Sequence, residues 1–516
     1  MAVMTDVREA AQNLIEYAIH RSMIGQDDRI WAYNTILECI GATGPALDMA
    51  WALQVEKLSL LHPDTLPDFD LEGTLAALAE AAVANGAAED TTSGRDRIAM
   101  RIMGALMPRP SVVNEEFNGR MGVNEPRAAT DWFYGLCCDA GYVRRAAIAR
   151  NIKWSTSTNW GDLEITINLS KPEKDPKAIA AAKLAKQAGY PKCLLCRENE
   201  GYAGRMDHPA RQNLRLIPLT LNNEPWFLQY SPYEYYNEHC IVLKAEHEPM
   251  KLTRATFVRL LDFVALFPHY FLGTNADLPI VGGSILSHDH FQGGCYEFAM
   301  SRAEVEHAFV WPKYTDIEVQ QLIWPMSVLR LRGQNAAQLV DAADELLSNW
   351  RGYSDAAVGI FAQTHDTPHN TVTPIARMRE GVFELDLVLR NNRTSDEHPL
   401  GIFHPHTELH HIKKENIGLI EVMGLAVLPD RLQTALQHLA ACLRGEDALS
   451  NHPELAVHAD WFAQIAPNYV AGTDAQDYLK SAIGAVFVQV LTDAGVYKRD
   501  AAGQAGFARF IEQLIQ

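Results

Sequence analysis

Residues 282–294 read GGSILSHDHFQGG, and no other stretch of the chain restricts its fold so tightly. Paired glycines at both ends permit turns, and the apolar Ile285-Leu286 leads into the centre, so the segment is expected to leave a glycine turn as a strand. Residues two apart on a strand share a face. His288, His290 and Gln292 are therefore expected to point one way, with Asp289 and Phe291 turned to the other. A neutral imidazole, with an ordinary pKa of about 6.5, serves at pH 7 either as a metal ligand or as a nucleophile. The four glycines are expected to let a ligand approach the backbone. A competing reading makes both rings metal ligands, or buried histidines satisfied by backbone groups.

The rest of the chain divides by period. Val7, Ala11, Leu14, Ile15 and Ala18 recur at helical spacing, and Leu75 to Ala84 is almost all Ala, Leu and Glu. Residues 1–150 are expected to form a helical extension, a cap or dimer surface rather than a chemical centre. At Gly161 the period changes: Leu163, Ile165, Ile167 and Leu169 alternate with polar residues, as in a half-buried strand. Leu214 and Leu216, then Trp226, Leu228 and Tyr230 beyond Asn222-Asn223-Glu224-Pro225, predict a hairpin, followed by an apolar run from Cys240 to Leu243. Helices are expected over 253–270 and 336–350, a strand through Val382 to Leu389, and an amphipathic tail over 505–516. At about 150 residues per domain the 516 residues suggest about three domains, expected at 1–150, 151–330 and 331–516.

Charge removes whole classes of partner. With 45 Lys plus Arg against 64 Asp plus Glu, the formal charge is −19, which argues against nucleic acid, held largely by cations on phosphates. Asp6 and Glu9 interrupt the N-terminal segment, and nowhere do 18 uncharged apolar residues run together, so neither a signal peptide nor a membrane span is expected. Eight scattered cysteines make no disulfide framework and point to a reducing, cytoplasmic setting.

Cys193-Leu-Leu-Cys196 has a spacing that lets two thiolates from one turn grip one zinc ion, although a redox pair or two packed cysteines fit it equally. Further ligands are available from Glu246-His247-Glu248 and from His288, with His239 competing for the first of these places. A set of Cys193, Cys196, His247 and His288 would be closed and four-coordinate, hence structural, and would pin the strand that presents His290.

The run GGSILSHDHFQGG resembles the active-site strand of galactose-1-phosphate uridylyltransferases, a branch of the histidine-triad superfamily. The family's His-x-His-x-Gln spacing is kept as His288, His290 and Gln292, with Asp289 and Phe291 between them, as in the longer second class of Gram-positive bacteria. GDLEITINLSKPEKDPKAIAAAK from Gly161, the Cys193 pair, NEHCIVLKAEHEPM from Asn237 and HHIKKENIGLIEVMG from His410 follow in family order. The resemblance implies an α+β fold: two histidine-triad-like halves with mainly antiparallel sheets flanked by helices, plus the helical extension.

It also implies that His290 is the nucleophile, Gln292 steadies the transferred phosphate and Asn275 binds substrate, while Cys193, Cys196, His247 and His288 hold a structural zinc. Lys171, Lys174, Arg205, Lys413 and Lys414 are candidate cations for anionic substrates by their position in these segments. Family members often hold a second metal. Glu306 stands where its glutamate is expected, but the strand that carries His-x-His in the first class reads Leu385-Asp386-Leu387-Val388 here. Glu306 and the alternative pair His404 and His406 therefore stay outside the expected metal set. The implied reaction passes uridylyl from UDP-glucose to galactose 1-phosphate through His290, in a homodimer, with no redox cofactor. A nucleotide phosphorylase or hydrolase, and a non-reacting zinc-stapled nucleotide-sugar binder, are the alternatives.

Overall fold

In the computed structural model, residues 2–44, 51, 69–122, 125–170, 189–205, 207–283 and 285–516 are described. Helices open the chain, from Ala2–His20 to Arg145–Ala149. Their periodic residues Ala11, Leu14, Ile15 and Ala18 are buried, and side-chain caps begin several of them: Asp70 accepts from the Gly73 amide and Thr91 from that of Gly94. The helical expectation for this region holds. It is no detached appendage, since the Tyr230 hydroxyl donates to the Thr130 carbonyl across 3.1 Å and the Phe133 and Tyr230 rings lie 5.4 Å apart.

Strands follow: β1 (Ile152–Thr158), β2 (Gly161–Ile167), β3 (Ile217–Leu221), β4 (Glu224–Tyr230), β5 (Cys240–Lys244), β6 (Phe271–Gly273), β7 (His290–Gly294), β8 (Val305–Val310), β9 (Glu318–Leu322), β10 (Val328–Gly333), the short β11 (Gln363–Thr364) and β12 (Thr367–Pro368), β13 (Asn370–Arg379), β14 (Val382–Asn391) and β15 (Leu425–Leu428). The predicted hairpin is β3–β4. Asn222 and Asn223 both take left-handed φ, 51° and 57°, as a turn matched to strand twist requires.

Ten strands make one antiparallel sheet in the order β3-β4-β5-β7-β6-β13-β14-β10-β9-β8. The α+β expectation is met, with the two halves sharing that sheet where β6 pairs β13. The boundary expected at residue 330 falls inside β10, which pairs β14 on one side and β9 on the other. Periodicity registers strands but not which of them hydrogen-bond, so the continuity was invisible in it.

Register sorts the faces of β7. Phe291 aligns with Val242 and Leu228, all three in a core that also holds the helices Arg254–Leu266 and Ala336–Gly352, and its ring stacks on Trp226 at 4.9 Å and 14°. Gln292 aligns with Gly273 and through it with Ile375, which belongs to a second core under Leu419, Ile420 and the helix Ala475–Ala494. The strand is thus clamped by apolar packing on one face while its polar residues occupy the other. Among the described residues no helix is long and apolar enough to cross a membrane.

Candidate active site and metal centre

The expected strand begins later than its sequence suggests. Residues 285–289 leave the sheet: the Met250 amide donates to the Leu286 carbonyl at 2.9 Å, and the Asp289 amide to that of Glu248 at 2.7 Å. This pairing draws the His288 segment to the loop that carries His247. Only His290 and Gln292 share a strand face; His288 sits in a bend ahead of them.

His290 is buried, and its Nδ1 lies 2.8 Å from the carbonyl oxygen of His288. A carbonyl only accepts, so Nδ1 carries the proton and Nε2 keeps its lone pair. That Nε2 has no hydrogen-bond partner among the described residues. Burial pushes the ring's pKa down to about 4, so the imidazole is neutral. The ring thus offers a lone pair fixed in direction, the state a nucleophilic imidazole needs.

Gln292 is half-buried beside it, and its Oε1 meets Nε2 of His239 at 3.2 Å. His239 is therefore not a metal ligand, as the sequence had allowed, but a neighbour of the carboxamide. Asn275 is buried too, and its Oδ1 accepts from the Leu419 amide at 2.8 Å. Its carboxamide lies between two glycines: a Cβ on Gly283 would stand 2.5 Å from Nδ2, and one on Gly418 3.0 Å from Oδ1. The remaining glycines are likewise filled by protein, a Cβ on Gly282 standing 2.6 Å from the Ala276 carbonyl, on Gly293 2.4 Å from that of Phe271, and on Gly294 2.9 Å from that of Glu238. They admit the chain's own backbone and side chains, not a ligand as expected from sequence.

Cys193, Cys196, His247 and His288 converge. The two Sγ atoms are 3.5 Å apart, Nδ1 of His288 is 3.3 and 3.8 Å from them, and Nδ1 of His247 is 3.2 Å from Cys196 Sγ. Tetrahedral zinc, with bonds of about 2.3 Å to sulfur and about 2.0 Å to nitrogen, sets its ligand atoms roughly 3.3–3.8 Å apart, so the donor set fits. Nε2–H of His288 donates to the Lys244 carbonyl at 2.9 Å, leaving Nδ1 as the donor atom. Burial pushes the Cys193 thiol up to about 12. Asn199, which spacing gave no reason to pick, ties the turn by donating from Nδ2 to the carbonyls of Cys193 at 2.9 Å and Cys196 at 2.7 Å.

Other candidates lie elsewhere. Lys171 and Lys174 are outside the described residues. Lys413 is buried, its amine donating to Glu421 at 2.8 Å, while Lys414 is exposed. Arg205 is engaged by Asp207 at 2.6 Å and by the Tyr190 carbonyl at 2.8 Å. Glu306 is clasped by Arg499 through both oxygens, at 2.8 and 2.9 Å. Asp386, on the strand without the His-x-His, is fully buried between Arg330 at 2.6 Å and Arg377 at 2.7 Å. His406 groups with Glu408 and Asp493, not with His404.

The comparisons agree over the whole chain. Residues 58–249 match the family "Galactose-1-phosphate uridyl transferase, N-terminal domain", and residues 263–461 its C-terminal domain. A galactose-1-phosphate uridylyltransferase of Bacillus subtilis is 49% identical over 98% of this chain and 97% of its own. One of Clostridium acetobutylicum is 48% identical over 98% of this chain and 100% of its own. Among solved structures, that of yeast Ap4A phosphorylase Apa2 covers 57% of this chain and 90% of its own at 11% identity and a TM-score of 0.31, a likeness too remote to inform function. With both family domains in place and near-half identity from end to end, the chain belongs to the galactose-1-phosphate uridylyltransferase family.

Proposed function

We propose that this protein transfers uridylyl from UDP-glucose to galactose 1-phosphate through a covalent intermediate on Nε2 of His290. The observation that carries the reading is the 2.8 Å hydrogen bond from His290 Nδ1–H to the His288 carbonyl, which leaves Nε2 unprotonated and, among the described residues, without a partner. In the first step the Nε2 lone pair forms a bond to the α-phosphorus. The bond from phosphorus to the bridging oxygen breaks, and glucose 1-phosphate departs with that electron pair. In the second step a phosphate oxygen of galactose 1-phosphate bonds to the same phosphorus, the N–P bond breaks, and its electrons return to Nε2. No proton needs to move. Charge grows on the nonbridging oxygens in both steps, and the amide N–H of Gln292 is the side-chain donor beside the nucleophile.

The cysteine and histidine cluster is read as a structural zinc site, in which four protein ligands leave no position for substrate. When bound, the metal holds the bend at His288, and the carbonyl of that residue orients His290. The family resemblance extends the reading to a cytoplasmic homodimer, which sedimentation of the purified protein tests.

Intact-mass measurement after adding UDP-glucose tests the chemistry. A uridylyl adduct mapped to His290, discharged by galactose 1-phosphate to UDP-galactose, is the expected result. UDP release without UDP-galactose, or an adduct elsewhere, overturns it.

A further inference from the structure

His239 lies outside the residues assigned to metal or substrate, yet it is held with unusual care. Its backbone is tied on both sides, the amide to the Tyr236 carbonyl at 3.1 Å and the carbonyl to the Ser231 amide at 2.7 Å. The ring lies against those of Tyr235 at 5.3 Å and Tyr236 at 4.6 Å. Glu238, just before it, takes a left-handed φ of 55° and donates its amide to Glu234 at 2.9 Å, so the corner that delivers the ring is itself fixed. The ring is 3% exposed, and its Nδ1 is a buried atom with no partner among the described residues. Among the described residues, a ring carried this deep has one polar contact, Nε2 on Oε1 of Gln292 at 3.2 Å.

We infer that His239 is a positioning residue that locks the carboxamide of Gln292, so that the amide N–H2 and not the oxygen faces the phosphate. The inference rests on the function proposed above. A carboxamide has two ends of nearly equal shape and opposite polarity. Turned one way Gln292 donates to an oxyanion; turned the other it sets a carbonyl against it. Because Oε1 only accepts, the contact requires the proton on Nε2 of His239, and burial, which holds that ring's pKa down to about 4, keeps it neutral with a single N–H. The polarity of Gln292 is then set before substrate arrives, as stabilisation by prearranged dipoles demands.

The test is single-turnover uridylylation by UDP-glucose in four variants of the full-length protein. His239→Phe keeps a ring against the tyrosines and removes the donor; it is expected to slow adduct formation about 10- to 100-fold with little change in the substrate concentration giving half-maximal rate. His239→Gln, whose amide nitrogen reaches the place of Nε2, is expected to restore most of the rate, whereas His239→Asn, which is shorter, is not. In a Gln292→Ala background, His239→Phe is expected to change the rate less than about threefold, since groups acting as one unit are not additive. A His239→Phe rate within about twofold of the unaltered protein, or an equal loss with Gln292 absent, overturns the inference. Should His239→Phe fail to fold, the Gln and Asn variants decide: equal rates overturn it. An unaltered protein that forms no adduct instead sinks the parent reading, a result separable from any variant.

Discussion

Asn275 and Leu419 stand 144 positions apart and meet through a 2.8 Å hydrogen bond from the Leu419 amide to the Asn275 side-chain oxygen. That bond joins the loop after β6 to the short helix Leu419–Val422, on the side of the sheet that His290 faces through its alignment with Gln292. Leu419 is buried, so removing the acceptor leaves an orphaned N–H. Asn275→Ala is expected to cost about 1–3 kcal/mol in urea unfolding and to reduce uridylylation as well. Gly283→Ala, whose Cβ would stand 2.5 Å from Asn275 Nδ2, is expected to reproduce both effects.

His290→Ala separates chemistry from folding. Among the described residues the ring makes a single hydrogen bond, so the thermal midpoint is expected to reflect a loss of no more than about 2 kcal/mol. Adduct formation should disappear in intact-mass spectra. A variant that fails to fold would make His290 a structural residue.

Cys193→Ser is expected to act in the opposite order. Metal content by plasma mass spectrometry, expected to be close to one zinc per chain in the unaltered protein, should fall, and stability should drop by several kcal/mol. Strong chelators should mimic the substitution. Activity is expected to follow the loss of fold rather than precede it.

Asp386 makes a prediction about acid. Burial alone would raise its carboxyl, but the Arg330 and Arg377 guanidiniums overcome this and hold it down at about 2. An ordinary aspartate titrates near about 3.9, so the pair contributes stability that is complete above that value and is lost as pH falls towards 2. Asp386→Asn should cost about 3–5 kcal/mol at neutral pH, because two buried arginines lose their shared partner. Its unfolding free energy should then vary less with pH between 4 and 2 than that of the unaltered protein.

Much of the site was legible because its chemistry is local. Cys193 and Cys196 share a turn, and His290 and Gln292 share a strand, so spacing alone brought each pair together. The bend at His288 was not legible: it depends on backbone pairing with residues 248–250, which no side-chain pattern encodes. The same holds for Asn199 and for Leu419, whose parts are played by a turn-spanning amide and a main-chain N–H. Lys413 shows the opposite failure, since a lysine in a motif-like segment is indistinguishable by sequence from one whose charge is spent on a half-buried glutamate. Asp386 and Glu306 are paired by arginines 9 to 193 residues away, separations at which sequence gives no register.

The meeting of β6 with β13 bears on how such a chain can be made or divided. A fragment ending before Asn370 would leave the three residues of β6 as an open rim one strand from His290, with Gly273 deprived of Ile375. An unpaired rim of that kind recruits other chains. The two family domains, 58–249 and 263–461, meet instead where β5 pairs β7, so neither should work alone, whereas two fragments split at residues 250–252, ahead of the helix Arg254–Leu266, and produced together should reassemble, each supplying the other's missing border.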